Sequence, residues 1–207
     1  MKNRLLLVLL AVPAIGVGLY PLLYFLIDRN FGLLQSKEHL LLQDTFWNIG
    51  FYTHIVFGGM ALLVGWIQFV ENWRNANLLL HRTIGKIYLV SVLLSSLAGI
   101  YIGFYATGGL IPSAGFISLG VFWLLTTSLG YTFIRRKRIE EHRKWMIYSY
   151  AICFAAVTLR IWLPLLNNLF GDFLIAYKIT AWLSWIPNLV VAYFINRSVK
   201  KNTPLLN

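Results

Sequence analysis

An apolar run without Asp, Glu, Lys or Arg occupies residues Trp47–Val70 and reads WNIGFYTHIVFGGMALLVGWIQFV. A polar segment that contains three basic residues, Glu71–Lys86, follows it directly. A helix needs about 20 mainly apolar residues to cross about 30 Å of hydrocarbon. A membrane β-strand would instead be a segment of roughly 10 residues with alternating character. The run therefore predicts a membrane-spanning helix.

Runs of this kind recur along the chain and predict six spans: Leu5–Ile27, Trp47–Val70, Ile87–Tyr105, Ala114–Ile134, Trp145–Leu166 and Phe173–Ile195. The composition agrees, because 58% of the 207 residues are hydrophobic and only 12% are charged, more apolar surface than a soluble domain can bury. The first run exceeds the apolar core of a cleaved signal peptide, so we expect a retained helix. The predicted fold class is all-α, a polytopic membrane helical bundle in which residues 1–207 form a single transmembrane domain.

Basic residues concentrate on alternate connections. The N-terminal segment, the second and fourth connections and the C-terminal tail together hold 14 of the 18 Lys and Arg residues. The positive-inside rule therefore predicts that both termini are cytoplasmic, in a bacterial inner membrane or a plasma membrane. Basic clusters beside apolar runs also predict contacts with anionic lipid head groups at the cytoplasmic face. This distribution argues against nucleic-acid binding, despite a net charge of +11.

Ionisable side chains within the spans are candidates for function, because burying them in a membrane is costly. His54, Arg160 and Lys178 each lie within a predicted span, nearer its external end. Together with Tyr52 they predict an outer-leaflet substrate site for a quinone-like molecule or a small anion. As alternatives, Lys178 reaches the head groups without a ligand, and His54 bonds a neighbouring helix.

A second candidate site lies at the cytoplasmic side, where two similar hairpins each carry a His-Arg pair. The pairs are His81-Arg82 and His142-Arg143. Neutral imidazole ligates both metals and haem iron, so His81 and His142 predict a site for haem b or a transition metal, with Arg82 and Arg143 beside the haem propionates. Alternatively, these residues are ordinary interfacial anchors, since no His-x-x-His or Cys-x-x-Cys motif accompanies them.

Three ordered motifs carry a family resemblance: His54 followed by Gly58-Gly59-x-Ala61-Leu62-x-x-Gly65-x-x-Gln68-Phe69, then His81-Arg82-x-x-Gly85-x-x-Tyr88, then His142-Arg143-x-Trp145-Met146 running to Thr158-Leu159-Arg160. From Trp47 to Arg160 the chain resembles a family of predicted prokaryotic multi-pass membrane proteins that is defined by a domain of unknown function. The resemblance implies that His54, His81, His142 and Arg160 are the family's marked positions, and it implies no activity.

A looser, architectural likeness is to the b561-type membrane cytochromes, which hold haem b between histidines of a helical bundle. Those proteins have paired histidines at both membrane faces. This chain has one deep outer histidine, His54, and two inner ones, His81 and His142. An outer haem would therefore lack its second imidazole unless His39 folded in, and the likeness is one of architecture.

Three functions remain open on the sequence. The first is a membrane redox protein with haem or another metal at the inner histidines and an outer pocket for a quinone. The second is a transporter or channel for a small anion or an amphiphile. The third is a non-catalytic membrane subunit or lipid-binding scaffold. The sequence does not decide whether the protein is an enzyme, and a homo-oligomer is among the arrangements that it allows.

Overall fold

Six helices that are long and apolar enough to cross a membrane form the bundle in the computed structural model, which describes residues 4–27 and 31–201. We label α1 to α6 the candidate membrane spans Leu5–Leu26, Thr45–Phe69, Leu78–Gly103, Leu110–Arg135, Ile139–Phe170 and Phe173–Ser198. The described residues are all helix, turn or irregular chain, which confirms the predicted all-α bundle of six spans. Three charged residues that flank the first predicted span, Lys2, Asp28 and Arg29, lie outside the described residues.

Side-chain caps set where several of these helices begin. The backbone N–H of Trp47 donates to Asp44 Oδ1 at 2.6 Å, and that of Leu80 donates to Asn77 Oδ1 at 2.9 Å. Such caps satisfy N–H groups that the first turn leaves without a helical partner. Because of the Asn77 cap, α3 begins nine residues before the predicted Ile87. His81 therefore lies on the first turns of a helix.

Consecutive helices pack as neighbours. Helix α2 packs against α3, helix α3 packs against α4, and helix α4 packs against α5. Helix α1 packs against α2, and helix α6 packs against both α4 and α5. Small residues allow close approach: at Gly65 of α2, an added Cβ would lie 2.3 Å from the Tyr150 ring of α5. The buried core at the centre contains Leu62, Tyr88 and Trp123. Apolar side chains on the outer surface suit contact with lipid.

Helices α5 and α6 are both interrupted near their middle. Helix α5 consists of Ile139–Cys153 and Ala155–Phe170. Span α6 is made of Phe173–Leu183 and of the helix Ile186–Lys201, which continues three residues beyond the end of the span. The second half of α6 begins with Pro187 in its first turn, where a missing N–H is tolerated.

The two interruptions lie at the same level of the bundle. The Thr158 hydroxyl donates to Ser184 O, which joins α5 to α6 there. The Asn188 side-chain nitrogen lies within hydrogen-bond distance of Ala151 O (3.1 Å), Thr158 Oγ1 (3.2 Å) and Ser184 O (3.0 Å). Its two hydrogens thus serve acceptors beside the breaks.

Candidate functional site

A cavity of about 240 Å³ runs from the connection between α1 and α2 towards the middle of the bundle. All six spans contribute to its wall. Its outer end is lined by Leu34 and Lys37 of the connection, and its inner end by Trp123 and Cys153. The wall is mainly apolar and aromatic, with a few polar side chains. This composition is typical of small-molecule sites.

Arg160 of α5 lies in this wall. Its guanidinium carbon is 4.4 Å from the centroid of the Tyr20 ring, a cation–π contact, and Nη1 donates to Ala156 O at 2.8 Å. Among the described residues, no Asp or Glu forms an ion pair with it. A guanidinium carries five N–H donors in a planar fork. Several of these donors are therefore available to a ligand.

His54 of α2 lies in the same wall and is held by α3. Its Nδ1 is 2.9 Å from Ser95 O, and the Ser95 hydroxyl donates to His54 O at 2.9 Å. The imidazole fills space that a side chain at Gly99 would occupy, since an added Cβ there would lie 2.8 Å from Nδ1. A carbonyl oxygen only accepts, so Nδ1 carries the hydrogen and Nε2 remains an acceptor.

Lys37 adds a second basic group at the outer end of the cavity. Its ammonium group donates to Tyr105 O in the connection between α3 and α4. Burial lowers the pKa of Lys37 to about 8, because desolvation disfavours the charged form. No Asp or Glu is among the described residues that line the cavity. The cavity therefore presents basic groups without acidic ones.

Sequence reasoning missed several lining residues, among them Lys37, Tyr20, Tyr24 and Trp47. The Trp47 side chain is only 2% exposed, and its indole N–H has no hydrogen-bond partner among the described residues. Aromatic residues near span ends are expected at membrane interfaces in any case, so their presence alone gave no signal of a pocket.

Two residues predicted for the outer site lie elsewhere. The Lys178 side chain packs beside Gly108, where an added Cβ would be 3.4 Å from Lys178 Cε. The Tyr52 ring packs against Phe25 and Phe51, with centroid distances of 5.2 and 5.3 Å. Neither residue lines the cavity. Of the four predicted residues, the structure brings together His54 and Arg160.

His81 lies on α3 and His142 on α5, two helices that are joined by one side-chain hydrogen bond. The Tyr88 hydroxyl of α3 is 2.8 Å from Ser149 Oγ of α5, which fixes the two helices in register. His81 and His142 each lie seven residues before these partners, two turns or about 10 Å along the same helix faces. The two imidazoles are close enough to interact electrostatically. Their role as a ligand pair stays a prediction.

The ring of His142 is oriented by its neighbour, because its Nδ1 donates to Gly130 O at 2.8 Å and leaves Nε2 available. Metal-ligating histidines are usually oriented in this way. His81 Nδ1 is buried and has no hydrogen-bond partner in the described part of the chain. No group of three or more His, Cys, Asp or Glu suited to a metal ion occurs there either. His81 and His142 would therefore be the two protein ligands of any metal held here, as the sequence predicts.

The arginines beside the inner histidines differ in their surroundings. Arg82 is exposed, whereas Arg143 Nη2 lies 4.0 Å from Glu71 Oε1 of the connection between α2 and α3. Arg143 is thus partly neutralised by an acidic group.

Comparison with curated proteins and with solved structures finds no match. A protein-family model matches residues 51–196, more than half of the chain. The match contains His54, His81, His142 and Arg160, and it extends beyond the three sequence motifs through most of α6. The chain is a multi-pass membrane protein, and it belongs to the family described as "Predicted membrane protein (DUF2306)".

Proposed function

We propose that this protein is a membrane redox protein that binds a quinone-like molecule in the cavity, with the head group between His54 and Arg160. The observation that carries the proposal is Arg160, a guanidinium in the wall of a mainly apolar cavity that pairs with no Asp or Glu of the described residues. Ionisable residues at such positions usually mark a substrate path or a ligand site.

The chemistry of the wall fits a ring that bears oxygen atoms. A guanidinium donates well to carbonyl and anionic oxygens. Aromatic residues such as Trp47, Phe51 and Trp123 offer flat surfaces for a ring. At about 240 Å³, the cavity lies below the usual range of about 300–1,000 Å³ for drug-sized ligands. It therefore suits a head group of one or two rings whose tail extends into the lipid.

His81 and His142 are the residues that would hold haem b or a transition metal, with Arg82 and Arg143 beside the haem propionates. Support comes from the hydrogen bond between Tyr88 of α3 and Ser149 of α5, two turns from the histidines, and from the oriented ring of His142. Such a group would supply one-electron chemistry near the cytoplasmic side. The protein's own part is to hold the two imidazoles in register and to keep the quinone-like ligand in a separate layer.

Two measurements on detergent-purified protein test this function. The first is an absorption spectrum with metal analysis, in oxidised and reduced states. A Soret band or a stoichiometric metal that is lost in His81→Ala and His142→Ala supports the redox assignment. The absence of both after supplementation with haem and with metals contradicts it.

The second measurement is the binding of decylubiquinone, followed by quenching of tryptophan fluorescence. We expect Arg160→Ala to weaken binding at least about tenfold, because a charged hydrogen bond to the ligand is lost. Lys178→Ala is the matched control, since this lysine is also in a span but does not line the cavity. Equal binding by Arg160→Ala and wild type would contradict the assigned site.

Transport of a small anion or an amphiphile is the alternative that a specific observation favours. Interrupted helices near mid-membrane line the substrate sites of many transporters, and α5 and α6 are both interrupted. This alternative requires flux in proteoliposomes that depends on Arg160. Normal flux in Arg160→Ala would reject it, and a protein that binds neither ligand nor cofactor would fit a scaffold instead.

A further inference from the structure

We infer that the cavity prefers the reduced, hydroxyl-bearing form of its ligand, a quinol, whose hydroxyl group donates to His54 Nε2 while Arg160 donates to another oxygen of the same head group. The inference rests on the proposed function, in which the ligand is quinone-like. It adds which redox form the site recognises and which atom distinguishes the two forms.

The position of the imidazole hydrogen follows from the partner of the ring. Nδ1 of His54 lies 2.9 Å from Ser95 O, a backbone carbonyl that has no hydrogen to give. Nδ1 also lies 3.2 Å from Ser95 Oγ, but the single hydrogen of that hydroxyl is donated to His54 O. Neither neighbour supplies a hydrogen to Nδ1, so Nδ1 is the donor. The ring is also neutral, because a second positive charge beside Arg160 in an apolar wall would be costly and no Asp or Glu lines the described cavity. A neutral imidazole with its hydrogen on Nδ1 has an acceptor at Nε2.

The packing around His54 keeps this orientation. The ring edge with Nδ1 lies against Gly99, where an added Cβ would be 2.8 Å from Nδ1. The Ser95 hydroxyl donates to His54 O at 2.9 Å and ties α2 to α3 at this level. A rotated ring would lose the bond from Nδ1 to Ser95 O. Nε2 receives no hydrogen bond from the described residues, so the ligand is the group left to supply a donor.

The two polar groups therefore make different demands on the ligand. Arg160 offers only donors, which any carbonyl, hydroxyl or anionic oxygen can accept. His54 Nε2 offers only an acceptor, which a quinone oxygen cannot satisfy because it carries no hydrogen. A quinol satisfies both residues. One unmade hydrogen bond at a buried group changes affinity on the order of tenfold, so we expect the quinol to bind about tenfold more tightly.

The test compares three ligands of similar shape on the full chain in detergent: decylubiquinol, decylubiquinone and the dimethyl ether of decylubiquinol. The ether keeps the reduced ring but has no hydroxyl hydrogen. Binding is followed by tryptophan fluorescence under anaerobic conditions. We expect decylubiquinol to bind about tenfold more tightly than either of the other two. This comparison uses the wild-type protein and does not depend on how a variant folds.

Two variants assign the preference to His54. His54→Leu removes the acceptor and should bind decylubiquinol and decylubiquinone equally. Ser95→Ala keeps the backbone carbonyl that fixes the hydrogen on Nδ1, so it should retain the wild-type preference. Persistence of the preference in His54→Leu would overturn the assignment to Nε2.

The outcomes separate this inference from the proposed function. Equal binding of the two redox forms by wild type, or tighter binding of the quinone, overturns the preference and leaves quinone binding in place. Binding of none of the three ligands overturns the proposed function, and the preference with it.

Discussion

Gly99 shapes the cavity because its missing side chain leaves space for the imidazole of His54. The gap between α2 and α3 at this level is filled by a ring that is bonded to Ser95 O. The glycine in the Gly99-x-x-x-Gly103 spacing therefore serves a side chain of the neighbouring helix, in addition to close helix approach. The position of one cavity residue thus depends on the absence of atoms at another.

Gly99→Ala should destabilise the protein, because the new Cβ would lie 2.8 Å from Nδ1 of His54. Overpacking of this kind costs about 1–3 kcal/mol. The measurement is thermal unfolding in detergent, with decylubiquinone binding as a second readout. Gly85→Ala on the same helix is the control, since an added Cβ there meets nothing within 4 Å. If both variants melt at the same temperature, the packing argument is wrong.

The connection between α1 and α2 covers the outer end of the cavity. Leu34 of this connection is only 2% exposed, and its side chain lines the cavity. The connection is tied to the one between α3 and α4, because Thr107 Oγ1 donates to Ser36 O at 3.1 Å and Lys37 donates to Tyr105 O. Hydrogen bonds between two connections therefore add to the packing of Leu34 against Tyr24, Trp47 and Phe51 in holding this end of the cavity in place.

Lys37 should make stability depend on pH at this connection. Its pKa is lowered from 10.5 to about 8 in the folded protein, so between these values the unfolded chain binds more protons. Stability contributed by this group therefore rises with pH from about 8 to 10.5. Melting temperatures across this range should rise more for wild type than for Lys37→Met. Lys86→Met, at an exposed position, is the control, and parallel curves for wild type and Lys37→Met would refute the argument.

At the scale of the whole molecule, both termini are predicted to be cytoplasmic. The chain is well suited to a test by cysteine labelling, because Cys153 is its only cysteine and is buried. Leu110→Cys, at a position 88% exposed, should react with a membrane-impermeant maleimide in intact cells. Arg136→Cys should react only after the membrane is permeabilised. The reverse pattern would invert the predicted orientation.

The number of spans was predictable because it follows from hydropathy and length alone. The ends of the helices were less predictable. The start of α3 was predicted at Ile87 because Arg82 and Lys86 are polar, whereas the helix begins at Leu78, directly after the Asn77 cap. Hydropathy reports the membrane-embedded part of a helix and not its extension beyond.

The candidate site was only partly predictable, for a different reason. His54 and Arg160 stand out because charge within a span is costly. Depth along a span does not say which way a side chain points, so Lys178 was grouped with them although it packs beside Gly108. Lys37 lies outside every span and gave no signal, because its place at the cavity depends on how the connection folds.

The interrupted helices α5 and α6 have a consequence for the permeability of the membrane. Breaks in a helix free carbonyl groups, and free carbonyls in hydrocarbon attract water. Here the amide of Asn188 lies within hydrogen-bond distance of Ala151 O, Thr158 Oγ1 and Ser184 O and has two hydrogens to donate. A side chain thus takes a place that water would otherwise fill. We therefore expect the membrane to stay closed to protons at that point, although two irregular helices lie side by side there.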